Sequence, residues 1–189
     1  MRSLWHRGSE RICPWWLCRT FDNPLRRLIH KPEKIFSGLI EPGMVVLDAG
    51  CGMGYFSIGM AHLLKGSGKV LSADLQEKML EGLKKRATRT GVQDVISPVL
   101  CKPHALGINE PVDFALAFWM VHETPDQAVF LSEIYSALKP GGSLLITEPI
   151  FHVSSKSFTE TLAHSWHAGF KLESSPKVAF SRTALLRKP

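Results

Sequence analysis

Apolar and polar positions along the chain fall into short blocks with two different periods. Residues 44–47, Met-Val-Val-Leu, form an apolar run too short for a buried helix, which predicts a central strand of a parallel sheet. From Tyr55 to Leu64 apolar residues recur at helical spacing. Residues 69–74 read as a second strand. Residues 75–90 read as a helix with Leu75, Met79, Leu80 and Leu83 inward and Glu77, Lys78, Glu81, Lys84, Lys85 and Arg86 on a solvated face, stopped by Gly91. Residues 95–100 give a third strand. Pro98 marks it as a sheet edge, which suits a strand order beginning 3-2-1. A fourth strand is expected over 111–118, a helix over 126–139 ending at Pro140-Gly141-Gly142, and a fifth strand over 143–148. Residues 155–168 form an amphipathic stretch with Phe158, Leu162 and Trp166 on one side, and 169–173 with 178–187 predict a final antiparallel hairpin. Ahead of the first strand, Asn23-Pro24 reads as a cap and first helical position for residues 25–30, and Pro32 restarts a helix through Ile35, Phe36 and Leu39.

The chemistry concentrates where the first strand meets the first long helix. Gly50, Gly52 and Gly54 punctuate the turn, and a residue without Cβ takes positive φ and lets a ligand approach the backbone. A helix N-terminus facing such a turn offers N–H groups to a carboxylate or phosphate. Two acids sharpen the reading. Asp48 precedes the first glycine at the strand end, where it repels a pyrophosphate but accepts from an ammonium or a water. Asp74 ends the second strand, placed for ribose hydroxyls. A ligand with an amino-acid end and a ribose fits both acids better than NAD does.

The run Val-Leu-Asp-Ala-Gly-Cys-Gly-Met-Gly-Tyr-Phe at 46–56, followed by Val-Leu-Ser-Ala-Asp at 70–74, resembles the S-adenosylmethionine (SAM) site of class I methyltransferases. Residues 115–123 and 138–146 continue the resemblance, which covers about residues 34–188. It is nearest to the small-molecule enzymes of the ubiquinone/menaquinone-biosynthesis type and their arsenite-methylating relatives. The resemblance implies an α/β, Rossmann-like, doubly wound sheet of seven strands, mostly parallel with a C-terminal antiparallel hairpin, in the order 3-2-1-4-5-7-6. It implies SAM as cofactor, with S-adenosylhomocysteine as product. Carried over residue by residue, the SAM contacts fall on Asp48, Ala49, Gly50, Cys51, Gly52 and Gly54, then on Asp74 and Leu75, then on His104 and Ala105 in the adenine-binding turn, and on Phe118. Relatives usually carry an acid near the His104 position, so here a neutral ring nitrogen or a backbone group takes that role.

Substrate contacts in open parallel sheets gather beyond the strand ends near the switch in strand order, between strands one and four. Residues 118–123 lie there. His122 is the first general-base candidate, because its titration range suits neutral pH, and Glu123 is the second. Their structural alternative is capping the loop or lining the pocket. Trp119 is assigned to the substrate side. The domain division is a basic and aromatic segment over 1–40, with Trp15 and Trp16 as a lid over the pocket by resemblance, and a SAM-dependent methyltransferase core over 41–189. Trp15 and Trp16 serve equally as a cover for an outer face of the sheet.

Composition narrows the alternatives. A chain of 189 residues makes one domain with one sizeable core. No apolar run suggests a membrane span, and no apolar block follows the N-terminal basic residues as in a secretory signal, so a cytoplasmic protein is expected, as a monomer or homodimer. Much of the +6 net charge lies in residues 1–34. No nucleic-acid motif accompanies it, and Phe118-Trp119-Met120-Val121 stands where amino-methylating enzymes carry Asn-Pro-Pro-Tyr, so the expected acceptor is a small molecule rather than nucleic acid. An arsenite- or thiol-directed enzyme using Cys13, Cys18 and Cys101 is one rival, and a SAM-binding regulatory or assembly protein without turnover is another. No metal site is expected: Cys13 and Cys18 lack a partner pair, and His164 and His167 lack a third ligand.

Overall fold

The computed structural model describes residues 28–189. Trp15, Trp16, Cys13, Cys18, the lid expectation and most of the 25–30 helix lie outside the described residues; residues 28 and 29 are helical and His30 is a bend.

The elements are α1 (Pro32–Ile35), β1 (Val45–Ala49), α2 (Tyr55–Leu63), β2 (Lys69–Asp74), α3 (Glu77–Thr90), β3 (Ile96–Leu100), β4 (Val112–Phe118), α4 (Gln127–Ala137), β5 (Leu138–Pro149), α5 (Ser155–Ala168), β6 (Lys171–Ser174) and β7 (Ser181–Arg187). A short 3₁₀ turn, Val121–Glu123, follows β4. The strands make one sheet in the order β3-β2-β1-β4-β5-β7-β6, as expected. All pairings are parallel up to β5; β7 runs antiparallel to both β5 and β6. Pro98 sits in edge strand β3.

Strand alternation splits the core into two layers. One layer holds Val46, Val70, Phe114, Leu116 and Leu145 against α2 and α3, and the other holds Leu47, Leu71, Ala115, Leu144 and Ile146 against α4 and α5. Phe36, fully buried just after α1, meets the rings of Phe56 and Phe114 edge-on. Gly59 in the middle of α2 admits α1, because a Cβ there would stand 2.3 Å from Cβ of Pro32.

Several elements depart from the sequence expectation, β5 among them, which starts at Leu138 rather than at residue 143. The helix restarted at Pro32 ends at Ile35 rather than Leu39, although Phe36 and Ile40 stay buried. Helix α3 begins at Glu77, because the Asp74 carboxylate takes the Gln76 N–H at 2.9 Å and holds that residue extended. Helix α4 ends at Ala137, not Lys139: Leu138 is already extended and pairs with Val112, and the Lys188 ammonium donates to the carbonyls of Tyr135 at 2.7 Å and Leu138 at 2.6 Å. On α5 the buried positions are Phe158, Thr161 and Ser165, whereas Trp166 is 49% exposed. Phe158 and Leu162 pack on the core as expected, and beside them the Thr161 hydroxyl donates to the side-chain carbonyl of Gln127 on α4 at 2.8 Å.

Candidate active site

The carboxyl edge of the sheet collects the polar side chains. Gly50, Gly52 and Gly54 all take positive φ, as the turn requires. Their surroundings differ. A Cβ on Gly50 would meet Met120, and one on Gly54 would stand 2.1 Å from Cδ1 of Leu83, but one on Gly52 would have nothing within 4 Å. Gly54 is therefore a buried packing position, Gly50 is exposed but overhung by the Met120 side chain, and Gly52 has open space where a Cβ would stand.

The turn is held from two sides. Gly50 and Cys51 donate to the carbonyl of Ala73 at 2.8 and 3.0 Å, and Gly52 donates to Oδ2 of Asp74 at 2.8 Å. These three N–H groups are thus used inside the protein; the helix N-terminus that the sequence offered to a ligand begins only at Tyr55. With Gln76 on its other oxygen, Asp74 clamps the turn to the end of β2, and burial pushes its carboxyl above the usual range while those N–H bonds pull it down. Asp48 is 2% exposed and accepts from Oγ of Ser57 at 2.5 Å, tying β1 to the first turn of α2. Leu75 is half-buried beside Asp74, and Ala49 and Cys51 are buried.

Beyond β4 the chain turns sharply. Trp119 has a φ of +57°, a costly conformation for a bulky residue. It is fixed there by its N–H on the Thr147 carbonyl at 2.8 Å and its indole N–H on Oγ of Ser181 at 2.8 Å. Phe118, His30, Trp119 and Phe151 form a run of ring contacts between 5.1 and 5.5 Å. His30 is buried and hydrogen-bonds the Ala179 carbonyl at 2.9 Å, so it links this aromatic group to the loop before β7.

The next turn meets a further carboxylate, from β5. Glu148, at the end of β5, has no exposed side-chain surface. Its Oε1 accepts from the N–H of Val121 at 2.9 Å and its Oε2 is hydrogen-bonded to Nδ1 of His122. Nε2 of His122 lies 4.0 Å from Glu123, and the His152 ring stacks on that of His122 at 6.2 Å. Burial lowers the affinity of His122 for a proton, but the bond and charge of Glu148, helped by Glu123, outweigh it and raise its titration above the ordinary histidine range. Sequence reasoning named His122 and Glu123 and missed Glu148. The available signal was an acid at the carboxyl end of an apolar strand, the same placement that singled out Asp48 and Asp74.

His104 is exposed in the tight turn 102–105 beyond β3, with Ala105 half-buried. Burial pushes the Cys51 thiol well above its usual range. Burial, then the charges of Asp74 and Glu133, push Cys101 up to about 12. Both described cysteines are thiols at neutral pH, which disfavours a soft anionic ligand role. Among the described residues no three His, Cys, Asp or Glu side chains are grouped to hold a metal.

Residues 40–178 match the family model of a methyltransferase domain. The chain belongs to the class I SAM-dependent methyltransferase family. The ubiquinone/menaquinone biosynthesis C-methyltransferase UbiE of Escherichia coli is 30% identical over 132 residues, 68% of this chain and 51% of that protein. The demethylmenaquinone methyltransferase of Symbiobacterium thermophilum is 29% identical over 132 residues, 69% of this chain and 51% of that protein. The chain thus spans about half the length of the curated relatives it matches. The crystal structure of a SAM-dependent methyltransferase from Aquifex aeolicus shares the fold, with a TM-score of 0.85 at 21% identity, over 94% of this chain and 100% of that one.

The carboxyl edge of the sheet has two features that suit the family's methyl donor. Gly52 leaves open space beside the turn, and the acids Asp48 and Asp74 make the ends of β1 and β2 negative. Such a field favours a ligand that carries an ammonium and a sulfonium. No helix among the described residues is long and apolar enough to cross a membrane.

Proposed function

We propose that this methyltransferase moves the methyl group of SAM to a small-molecule acceptor bound beyond the ends of β4 and β5. The observation that carries the reading is the cradle at Gly52, open in the middle and pinned by Asp74. When bound, SAM supplies an electrophilic methyl on a sulfonium that needs no further activation. The glycine turn, Asp48, Asp74 and Leu75 would hold the amino-acid and ribose ends, and Cys101 to Leu106 would border the adenine. Phe118, Trp119 and Met120 form the wall on the acceptor side. Catalysis then rests on alignment and on keeping water out. The named activities of the Escherichia coli and Symbiobacterium relatives support an acceptor ring of the quinone type, methylated at carbon. The apolar side chains of Trp119 and Phe151 suit a flat aromatic ring. A cytoplasmic location is part of the same reading.

Titration calorimetry with SAM, S-adenosylhomocysteine and NAD tests the donor site. SAM and its product are expected to bind at micromolar concentration and NAD not to compete. Folded protein that binds neither SAM nor its product would overturn the reading. Transfer of labelled methyl from SAM to a hydroquinone would then establish the acceptor class.

A further inference from the structure

Glu148 and His122 are 26 residues apart in sequence and adjacent in space. Two strand ends bring them together: β5 lies beside β4, with Phe118 opposite Thr147, so Glu148 meets the turn that follows β4. Its carboxylate is committed on both oxygens, one to the backbone of Val121 and one to Nδ1 of His122. The backbone bond fixes where the carboxylate stands, and the ring bond fixes which nitrogen of His122 carries the proton. A fully buried carboxylate accepts hydrogen bonds, so the neutral ring keeps its proton on Nδ1 and its lone pair on Nε2. The His122 side chain is 28% exposed, so it stays accessible. Met120, two residues before it, packs against Gly50 of the donor turn, which places this histidine within one short turn of the donor site.

We propose, resting on the methyl-transfer reading, that Glu148 is a positioning residue that holds His122 with Nε2 as the base, and that the acceptor belongs to the class that must lose a proton on methylation. Hydroquinones, phenols and enols are in that class; thioethers and pyridines are not. In the step, an electron pair of the acceptor atom forms the new bond to the methyl carbon and the carbon–sulfur pair returns to sulfur. The acceptor's proton passes to Nε2. The positive charge that leaves the sulfonium reappears on the imidazolium, beside the Glu148 carboxylate, so the net charge of the site is unchanged. The groups that face this imidazolium are Glu148 from β5, Glu123 from its own turn and His152 from the segment after β5. Two carboxylates favour the protonated ring and one histidine opposes it.

Nitrogen-15 NMR of histidine-labelled protein, with and without S-adenosylhomocysteine, reads the tautomer directly. The neutral ring of His122 is expected with its proton on Nδ1. In Glu148→Gln the side-chain amide donates to Nδ1 instead, and the proton is expected to move to Nε2. A neutral wild-type ring with its proton on Nε2 would overturn the proposal. The second arm offers labelled SAM with a soluble hydroquinone, a phenol, a thioether and a pyridine. Transfer is expected only to the protic acceptors, with kcat at least tenfold lower in Glu148→Gln and His122→Asn, the pH profile displaced and the KM for SAM unchanged. Transfer to the thioether or pyridine alone, or to none of the four, would overturn the acceptor class. Should Glu148→Gln fail to fold, His122→Asn keeps the Glu148–Val121 bond and decides the kinetic arm. A wild-type protein that does not bind SAM would sink the methyl-transfer reading, while the NMR arm would still decide the pairing.

Discussion

Met120 lies directly over Gly50: a Cβ added to that glycine would stand 2.9 Å from Cγ of Met120. The glycine turn after β1 and the turn that carries His122 are thereby in contact. Gly50→Ala is expected to cost about 2–3 kcal/mol, from the φ of +73° and from displacing Met120. Gly52→Ala has strain but no clash and should cost only about 1 kcal/mol of stability, while weakening SAM. Urea unfolding with calorimetry checks both. Met120→Ala should recover part of the Gly50→Ala loss, and strict additivity of the two would mean that the contact carries no energy.

Asp74 has two duties, and its removal should show both. Asp74→Ala leaves the N–H groups of Gly52 and Gln76 without their acceptor and takes away the proposed ribose partner. SAM affinity is expected to fall by roughly 1–3 kcal/mol, the range for a charge-assisted hydrogen bond. Unchanged affinity would show that the second strand's acid serves the turn alone.

The pairing of His122 with Glu148 gives a pH signature. The folded-state titration of His122 is raised above its unfolded value. Its stabilising contribution is therefore fully present below the unfolded value, near 6.5, and is lost as pH rises through the folded one. The stability difference between the wild type and His122→Asn should shrink as pH rises from about 6.5 through the raised folded-state titration of His122. A difference that grows over that window would reverse the sign of the interaction.

Cys101 should be slow to alkylate. With its thiol pushed up to about 12, the thiolate fraction at pH 8 is on the order of 10⁻⁴. Mass spectrometry after iodoacetamide at pH 8 should find Cys101 largely unmodified in folded protein and modified in urea. Rapid labelling of the folded form would reopen a thiolate role.

Much of this arrangement was legible in the sequence, for physical reasons that apply to particular residues. Pro98 can only be accommodated at an edge, which placed β3, and the acid-glycine turn could only follow a buried strand, which placed β1. Glu148 was not legible as a site residue. It closes an apolar strand, and its meaning depends on β5 lying beside β4, a fact of three-dimensional adjacency. The twist at Trp119 was hidden for a similar reason, since Thr147 and Ser181, both far along the chain, hold its backbone and indole. On α5, period alone grouped Trp166 with Phe158, whereas the contact of the Thr161 hydroxyl with Gln127 on α4, which depends on the packing of two helices, was not legible.

The position of β7 has a consequence for how the molecule assembles. It is inserted between β5 and β6, although both precede it in the chain. From the emergence of Pro149 until Ser181 arrives, β5 presents an unpaired edge whose Leu144, Leu145 and Ile146 will later face Leu186, Leu185 and Ala184. An open apolar edge is a template for pairing with another chain. The vulnerable interval in biosynthesis is therefore the passage of α5 and β6, and conditions that slow translation there should raise aggregation more than the same delay imposed earlier.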